Sequence, residues 1–383
     1  MLRTKKTPMR YPTKILIACL LSGGIVTAAE PPKGLALGDD LPTFNLPGVD
    51  GKMHTAKEYA DAKALVLMFT CNHCPTAQAY EDRIIKLEAD YRDKGVQLVA
   101  ISPNNAEAVR LNELGYADLG DSLEDMKIRA KNKNYQFPFL YDGETQEFSR
   151  KVGVKVTPHV FIFDADRKLR YNGRIDNSEV HEVTSPDTRN ALDDLLAGRE
   201  VKVPTTRVFG CSTKWKEKAA GVAKADAAWA KRPVDLGTID AAGLKALAAN
   251  KGEDYLLLNV WATWCQPCVA EFPELVKMQR MYGRRHFKLV TLSVDNPDHK
   301  EQASKFLKRS QAAMTNFLYT GTDRDELAEA LDPKWTGPIP FTILVAPGGE
   351  VIYRKEGRFD AQALKTIIAD TLGRTYASRK KKK

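Results

Sequence analysis

The sequence predicts an α/β protein made of one unit used twice, each copy a central mixed β-sheet flanked by helices. Three observations lead there. Two apolar runs of strand length, Lys63–Thr70 and Tyr255–Trp261, each lead into a Cys-x-x-Cys tetrapeptide, and uninterrupted runs of that kind belong to strands buried on both faces. The elements that follow each tetrapeptide come in the same order in both halves. The chain has 383 residues, 43% of them hydrophobic and 28% charged. That length exceeds what a single core usually serves, and the composition excludes collagen-like, disordered and disulfide-scaffold proteins.

In the first half the strand runs into Cys71-Asn72-His73-Cys74-Pro75. A helical pattern follows, its face gathering Tyr80, Ile84, Ile85, Leu87 and Tyr91. A strand at Val96–Ile101 comes next, then polar helical stretches reaching Lys133 and a short strand at Phe137–Tyr141. Val156-Thr157-Pro158 precedes a strand at His159–Phe163, a turn at Asp164–Arg167 and a strand at Lys168–Tyr171. A helix at Asp187–Leu196 closes the unit. The second half repeats the order: Ala262-Thr263-Trp264-Cys265-Gln266-Pro267-Cys268, helix Val269–Tyr282, strand Phe287–Ser293, helix Lys300–Ser310 and short strand Asn316–Tyr319. Gly337-Pro338-Ile339-Pro340 then precedes the strand Phe341–Val345, Gly348-Gly349 turns a hairpin into Glu350–Tyr353, and Ala361–Leu372 is a final amphipathic helix. The stretch between the halves carries Val208, Phe209, Trp215 and Trp229, which suit a packed connector better than a free linker.

Six cysteines are present, four of them in the two pairs. A zinc ribbon would place its second pair roughly 15–20 residues after the first; here the pairs lie half a chain apart, each behind its own strand. The remaining histidines, 54, 159, 181, 286 and 299, form no ligand spacing. We therefore expect no metal and no cofactor. Cys211 is left over, either as a buried unpaired thiol or as a third redox relay thiol.

With these motifs both halves resemble thioredoxin-fold domains. The first resembles the peroxiredoxin-like (AhpC/TSA, redoxin) branch bearing Cys-Asn-His-Cys-Pro. The second resembles the TlpA/ResA thiol–disulfide oxidoreductases through Val260–Cys268 and Glu271-Phe272-Pro273-Glu274. Expected boundaries are residues 36–205 and 233–376, with a connector at 206–232.

A thiolate, not a thiol, attacks a disulfide, and about 3% of an ordinary cysteine is ionised at pH 7. A helix amino terminus raises that fraction with its dipole and free N–H groups. Cys71 and Cys265 are thus the expected nucleophiles at helix starts, and Cys74 and Cys268 the resolving thiols. His73 is expected to stabilise the Cys71 thiolate, as in DsbA-like oxidants, making the first disulfide the more oxidising; electrons would then run from the second site to the first. The resemblance implies further that Pro158 and Pro340 are cis and expose Thr157 and Ile339 to pair with a substrate strand. It also implies that Glu271 adjusts the cysteine pKa values where Asn259 replaces thioredoxin's buried aspartate. Trp264 is the candidate for the substrate groove, and Trp261 belongs to the core. The first half has no Pro-x-x-x-Thr-x-x-Cys pattern ending at Cys71, since Met68 stands three residues before it.

The formal net charge is +9. Residues 1–14 hold five basic groups, and Arg379–Lys383 five more; without those ten the chain carries 48 basic against 49 acidic groups. No basic surface for nucleic acid follows. The first basic cluster precedes the apolar stretch Ile15–Ala29, which ends in small residues: the pattern of a secretory signal over residues 1–29. An uncleaved anchor is the alternative. Cys19 reads as part of the apolar stretch rather than a lipid attachment site, and the basic tail at 377–383 as a solvated end. The reading is an exported, periplasmic thiol–disulfide oxidoreductase acting on protein thiols and disulfides. It would be fed by an unidentified upstream thiol reductant and meet the membrane only through its signal segment. Its rivals are an antioxidant thiol peroxidase in the first half recycled by the second, and a non-catalytic scaffold stapled by its Cys-x-x-Cys pairs.

Overall fold

The computed structural model describes residues 34–377; the signal read at 1–29, with Cys19, and the basic end Arg379–Lys383 lie outside the described residues. In chain order the strands of the first half are β1 (Asn45–Pro47), β2 (Met53–Thr55), β3 (Ala64–Phe69), β4 (Val96–Ser102), β5 (Phe139–Tyr141), β6 (Val156–Thr157), β7 (His159–Phe163) and β8 (Leu169–Gly173). Then come β9 (Cys211–Ser212), β10 (Gly237–Ile239), β11 (Tyr255–Trp261), β12 (Phe287–Ser293), β13 (Thr315–Tyr319), β14 (Phe341–Val345) and β15 (Val351–Glu356). The helices are α1 (Pro75–Tyr91), α2 (Leu123–Asn132), α3 (Glu147–Val152), α4 (Asp187–Leu196), α5 (Ala219–Ala230), α6 (Ala241–Ala248), α7 (Gln266–Tyr282), α8 (Lys300–Arg309), α9 (Arg324–Leu331) and α10 (Ala361–Leu372).

One central sheet has the order β5-β4-β3-β7-β8 and the other β10-β13-β12-β11-β14-β15. In each, the strand that leads into the cysteines lies parallel to one neighbour and antiparallel to the other. These are the mixed, helix-flanked sheets that the sequence predicts. Successive side chains of a strand point to opposite faces, which explains why the apolar runs are continuous. Val66 and Met68 of β3 meet Tyr80, Ile84 and Leu87 of α1 on one face. Leu65, Leu67 and Phe69 meet Phe148, Val152 and Phe161 on the other. In the second half Leu257 and Trp261 pack with Phe272, Leu275 and Ile368, while Leu256, Leu258 and Val260 pack with Leu327 and Leu331. Ile85 lies at the edge of its face, half-buried against the same core.

The short elements β10, α6 and α9 escape the sequence reading because each is too brief to set up a period. Asp240 caps α6 by accepting from the Gly243 N–H at 2.8 Å, and β10 extends the second sheet alongside β13. The connector is pinned at both ends. Trp215 lies under the Arg150 guanidinium at 4.4 Å, and the Trp229 indole N–H donates to Gln311 O at 3.0 Å. One loop carries contacts from both halves. Ala117 O accepts from the Tyr282 hydroxyl at 2.9 Å, and Asp118 accepts from Thr366 at 2.7 Å and Arg374 at 2.5 Å. Tyr116 O accepts from Gln78 at 3.1 Å. No helix among the described residues is long and apolar enough to cross a membrane.

Candidate functional site

Strand register fixes which residues of the two halves are equivalent. Phe69 pairs with Ile101 and with His159, which follows Pro158. Val260 pairs with Leu292 and with Phe341, which follows Pro340. Counting on from Phe69 and Val260, Cys74 matches Cys265 and Ala77 matches Cys268, while Cys71 matches Ala262. The two Cys-x-x-Cys motifs are therefore offset by three residues. The helix starts agree. Cys74 is the N-cap of α1, its sulfur accepting from the Ala77 N–H at 3.5 Å. Cys265 is the N-cap of α7, its sulfur accepting from the Cys268 N–H at 3.3 Å. This corrects the expectation for Cys71, which lies ahead of the helix on the loop after β3. The reason is Pro75, which takes the first helical position, where a missing N–H breaks no hydrogen bond.

Around the first pair the thiols are free. Cys71 Sγ lies 3.1 Å from Thr157 Oγ1, and Cys74 Sγ lies 3.4 Å from Thr157 O. Burial opposes ionisation of Cys74, but hydrogen bonds from the Cys211 and Cys71 thiols, the His73 charge and the Ala77 N–H outweigh it and hold its pKa well below the ordinary thiol value. Cys71 is pushed the other way by burial, by donating to Cys74 and by the Asp121 charge. The balance at this site thus favours ionisation of Cys74 over Cys71. His73 accordingly serves Cys74 rather than Cys71. Burial alone would discharge the imidazole, but the Asp121 carboxylate 2.5 Å from its Nδ1 overrides this and raises its pKa. Asp121 also accepts from the backbone N–H groups of Asn72 and His73 and from Asn104 Nδ2 at 2.7 Å. Despite its burial, the imidazolium and these donors keep its pKa below the carboxylate range.

At the second pair Cys265 and Cys268 form a disulfide with a Cα–Cα distance of 5.3 Å. Glu271, one turn along α7, is buried. It accepts from Asn259 Nδ2 at 3.1 Å and the Phe359 N–H at 3.3 Å. Burial outweighs these bonds and raises its pKa to about 7. Trp261 is fully buried against Phe272 and Phe306, whereas Trp264 is 61% exposed.

Comparison with known proteins agrees with this architecture. The Redoxin family profile matches residues 36–192, and the AhpC/TSA family profile matches residues 236–354. The chain carries two thioredoxin-like domains, a redoxin domain followed by an AhpC/TSA domain. It is 28% identical over 115 residues to thiol-disulfide oxidoreductase ResA of Oceanobacillus iheyensis, covering 30% of this chain and 56% of that protein. It is 31% identical over 98 residues to ResA of Bacillus subtilis, covering 25% and 50%. The chain thus spans about half the length of these curated relatives. Among solved structures, an uncharacterized conserved protein from Geobacillus kaustophilus is 40% identical, with a TM-score of 0.43, over 47% of this chain and 93% of that one.

The two domains differ at the edge beside the proline that precedes the return strand. Both Thr157–Pro158 and Ile339–Pro340 are cis. In the AhpC/TSA domain Ile339 and Trp264 line a shared cleft with Asp295, Tyr319 and Trp335. In the redoxin domain Thr157 is already paired, antiparallel, with Cys211 of the connector. The expectation of a substrate strand at each proline is therefore corrected for the first site, whose edge the chain itself occupies.

Asp121 and Asn104 escaped sequence reasoning, because they reach the first motif from the segment after β4 and no spacing links them to it. With them comes a cluster that the histidine spacing does not reveal: Cys71, His73 and Asp121 each bring a ligand-type atom within 4.8 Å of the others. His73 Nδ1 and both Asp121 oxygens are engaged in the bonds described above.

Glu271 has a readable consequence. As pH rises through about 7 it gains a negative charge one helical turn from Cys268, which disfavours a thiolate there. The rate at which a small dithiol reduces Cys265–Cys268, corrected for ionisation of the reductant, is expected to step down through about pH 7. The step disappears in Glu271→Gln; a step that survives the substitution assigns it to another group.

Proposed function

We propose that the protein is an exported thiol–disulfide oxidoreductase with two exchange sites, one per domain, the domains spanning 36–205 and 233–376. The observation that carries this reading is that each domain presents a cysteine sulfur as the N-cap of the helix after its central strand, beside a cis-proline. That placement gives the sulfur free N–H groups and the positive end of the dipole. Cys265 is the nucleophile of the second site and Cys268 its resolving thiol. Cys74 is the nucleophile of the first. The open cleft at Trp264 and Ile339 suits an extended protein substrate. The stabilised Cys74 thiolate makes the first disulfide the more oxidising, so electrons pass from the second site to the first. Export rests on the basic, apolar, small-residue pattern of residues 1–29.

Reduction of insulin disulfides by the full chain, driven by a small dithiol, tests this. Cys265→Ser is expected to bring turnover down to the uncatalysed rate. Unchanged turnover in both Cys265→Ser and Cys74→Ser would leave the pairs as structural staples. Peroxide-dependent thiol oxidation lost in Cys74→Ser would instead assign the redoxin domain to the peroxidase class.

A further inference from the structure

The connector places a third sulfur in the first site. β9 lies antiparallel to β6, with Cys211 opposite Thr157, and Cys211 packs against the cluster of Cys71, Cys74 and Ala77. The approach is close. A side chain on Gly210, whose φ is +145°, would sit 2.1 Å from Thr157 O and 3.3 Å from the Pro158 ring. Backbone pairing beside the cis-proline, with a cysteine at the paired position, is how a substrate strand would lie there. From this placement we infer that residues 210–212 are an intramolecular substrate strand of the redoxin domain and that Cys211 is the third exchange thiol of its site. The inference rests on reading that site as a disulfide-exchange centre.

The three sulfurs differ in access. Cys71 and Cys74 are 3% and 0% exposed, whereas Cys211 is partly open to solvent. A substrate disulfide that oxidises the site by two electrons leaves a Cys71–Cys74 bond. The Cys211 thiolate then attacks Cys74 Sγ. The Cys74–Cys211 bond forms as the Cys71–Cys74 bond breaks, and Cys71 leaves with the electron pair and takes the proton that Cys211 released. No electron enters or leaves the protein in this step; the disulfide moves from two buried sulfurs to a bond that includes the partly exposed Cys211. The chemistry of Cys211 follows the same switch. With Cys74 as thiolate, its hydrogen bond to Cys74, then burial, holds Cys211 protonated. Once Cys74 is in a disulfide that acceptor charge is gone, and the nearby Lys214 charge favours ionisation.

The test uses the full chain carrying Cys265→Ser and Cys268→Ser, treated with oxidised glutathione, quenched in acid, alkylated and mapped by mass spectrometry. Both Cys71–Cys74 and Cys74–Cys211 bridges are expected. Adding Cys71→Ser converts the yield to Cys74–Cys211, and adding Gly210→Ala lowers that bridge several-fold while Cys71–Cys74 still forms. The inference is overturned if Cys211 remains fully alkylatable while Cys71–Cys74 forms, or if Cys71→Ser gives only a glutathione adduct on Cys74. Those outcomes leave the exchange reading intact. Absence of any bridge or adduct on Cys71 and Cys74 would remove both.

Discussion

Cys74→Ser is expected to abolish the thiolate absorbance that the redoxin domain shows below the ordinary thiol range, and Cys71→Ser to retain it. With the second pair in its disulfide, the redoxin site supplies the signal. Burial and the Asp121 charge keep Cys71 protonated, and its hydrogen bond to Cys74, with burial, keeps Cys211 so. Cys74 alone has an N-cap position, an adjacent imidazolium and two thiol donors. An ordinary cysteine is about 3% ionised at pH 7, so a fully ionised Cys74 would hold about thirty times more thiolate than an unperturbed thiol at that pH. A serine at position 71 still donates a hydrogen bond to the Cys74 sulfur, which is why that variant keeps the absorbance. The opposite pattern, loss in Cys71→Ser and retention in Cys74→Ser, would restore the first cysteine as the nucleophile.

This outcome bears on what the sequence can reveal. The paired strands, the helices after them and the prolines before the return strands are all legible, because each rests on a local pattern: period, apolar continuity or punctuation by Pro and Gly. The tetrapeptides look alike, and likeness invites the same register. The register is set instead by where proline tolerates the helix to begin. Pro75 directly follows Cys74 and takes the first helical position, whereas Pro267 lies between Cys265 and Cys268 and leaves Cys265 as the cap. Proline position was therefore the readable signal for the offset, since in a helix capped by Cys71 the Pro75 nitrogen, at the fourth helical position, has no N–H to donate to the Cys71 carbonyl. The Asp121 carboxylate and the Cys211 strand are different. Both meet the first site through tertiary folding, one from the segment after β4 and one from the connector, and no local spacing encodes either.

The Asp121 contact also carries a large expected stability effect. Both partners are buried, His73 at 2% and Asp121 at 1% exposure, and removing one member of such a pair typically costs roughly 3–5 kcal/mol. In Asp121→Asn the amide nitrogen would face the donors His73 Nδ1 and Asn104 Nδ2, or its oxygen would serve only some of the four groups now bonded. The pH dependence identifies the pair. His73 is raised above 6.5 on folding, so its stabilisation is complete below 6.5 and is lost as pH rises through the folded value. Asp121 is depressed below 3.8, so its stabilisation is complete above 3.8 and is lost as pH falls through the folded value. The stability difference between the native chain and Asp121→Asn should accordingly form a plateau between about pH 4 and 6.5 and shrink on both sides. Urea unfolding of the redoxin domain's transition, followed across that range, measures it. The same substitution removes the anion that keeps His73 charged, so the thiolate edge of Cys74 should move to higher pH in parallel. A stability difference that is flat with pH, or greatest above pH 8, would mean that the His73–Asp121 contact is a neutral hydrogen bond and that the Cys211 and Cys71 thiols and the Ala77 N–H alone favour ionisation of Cys74.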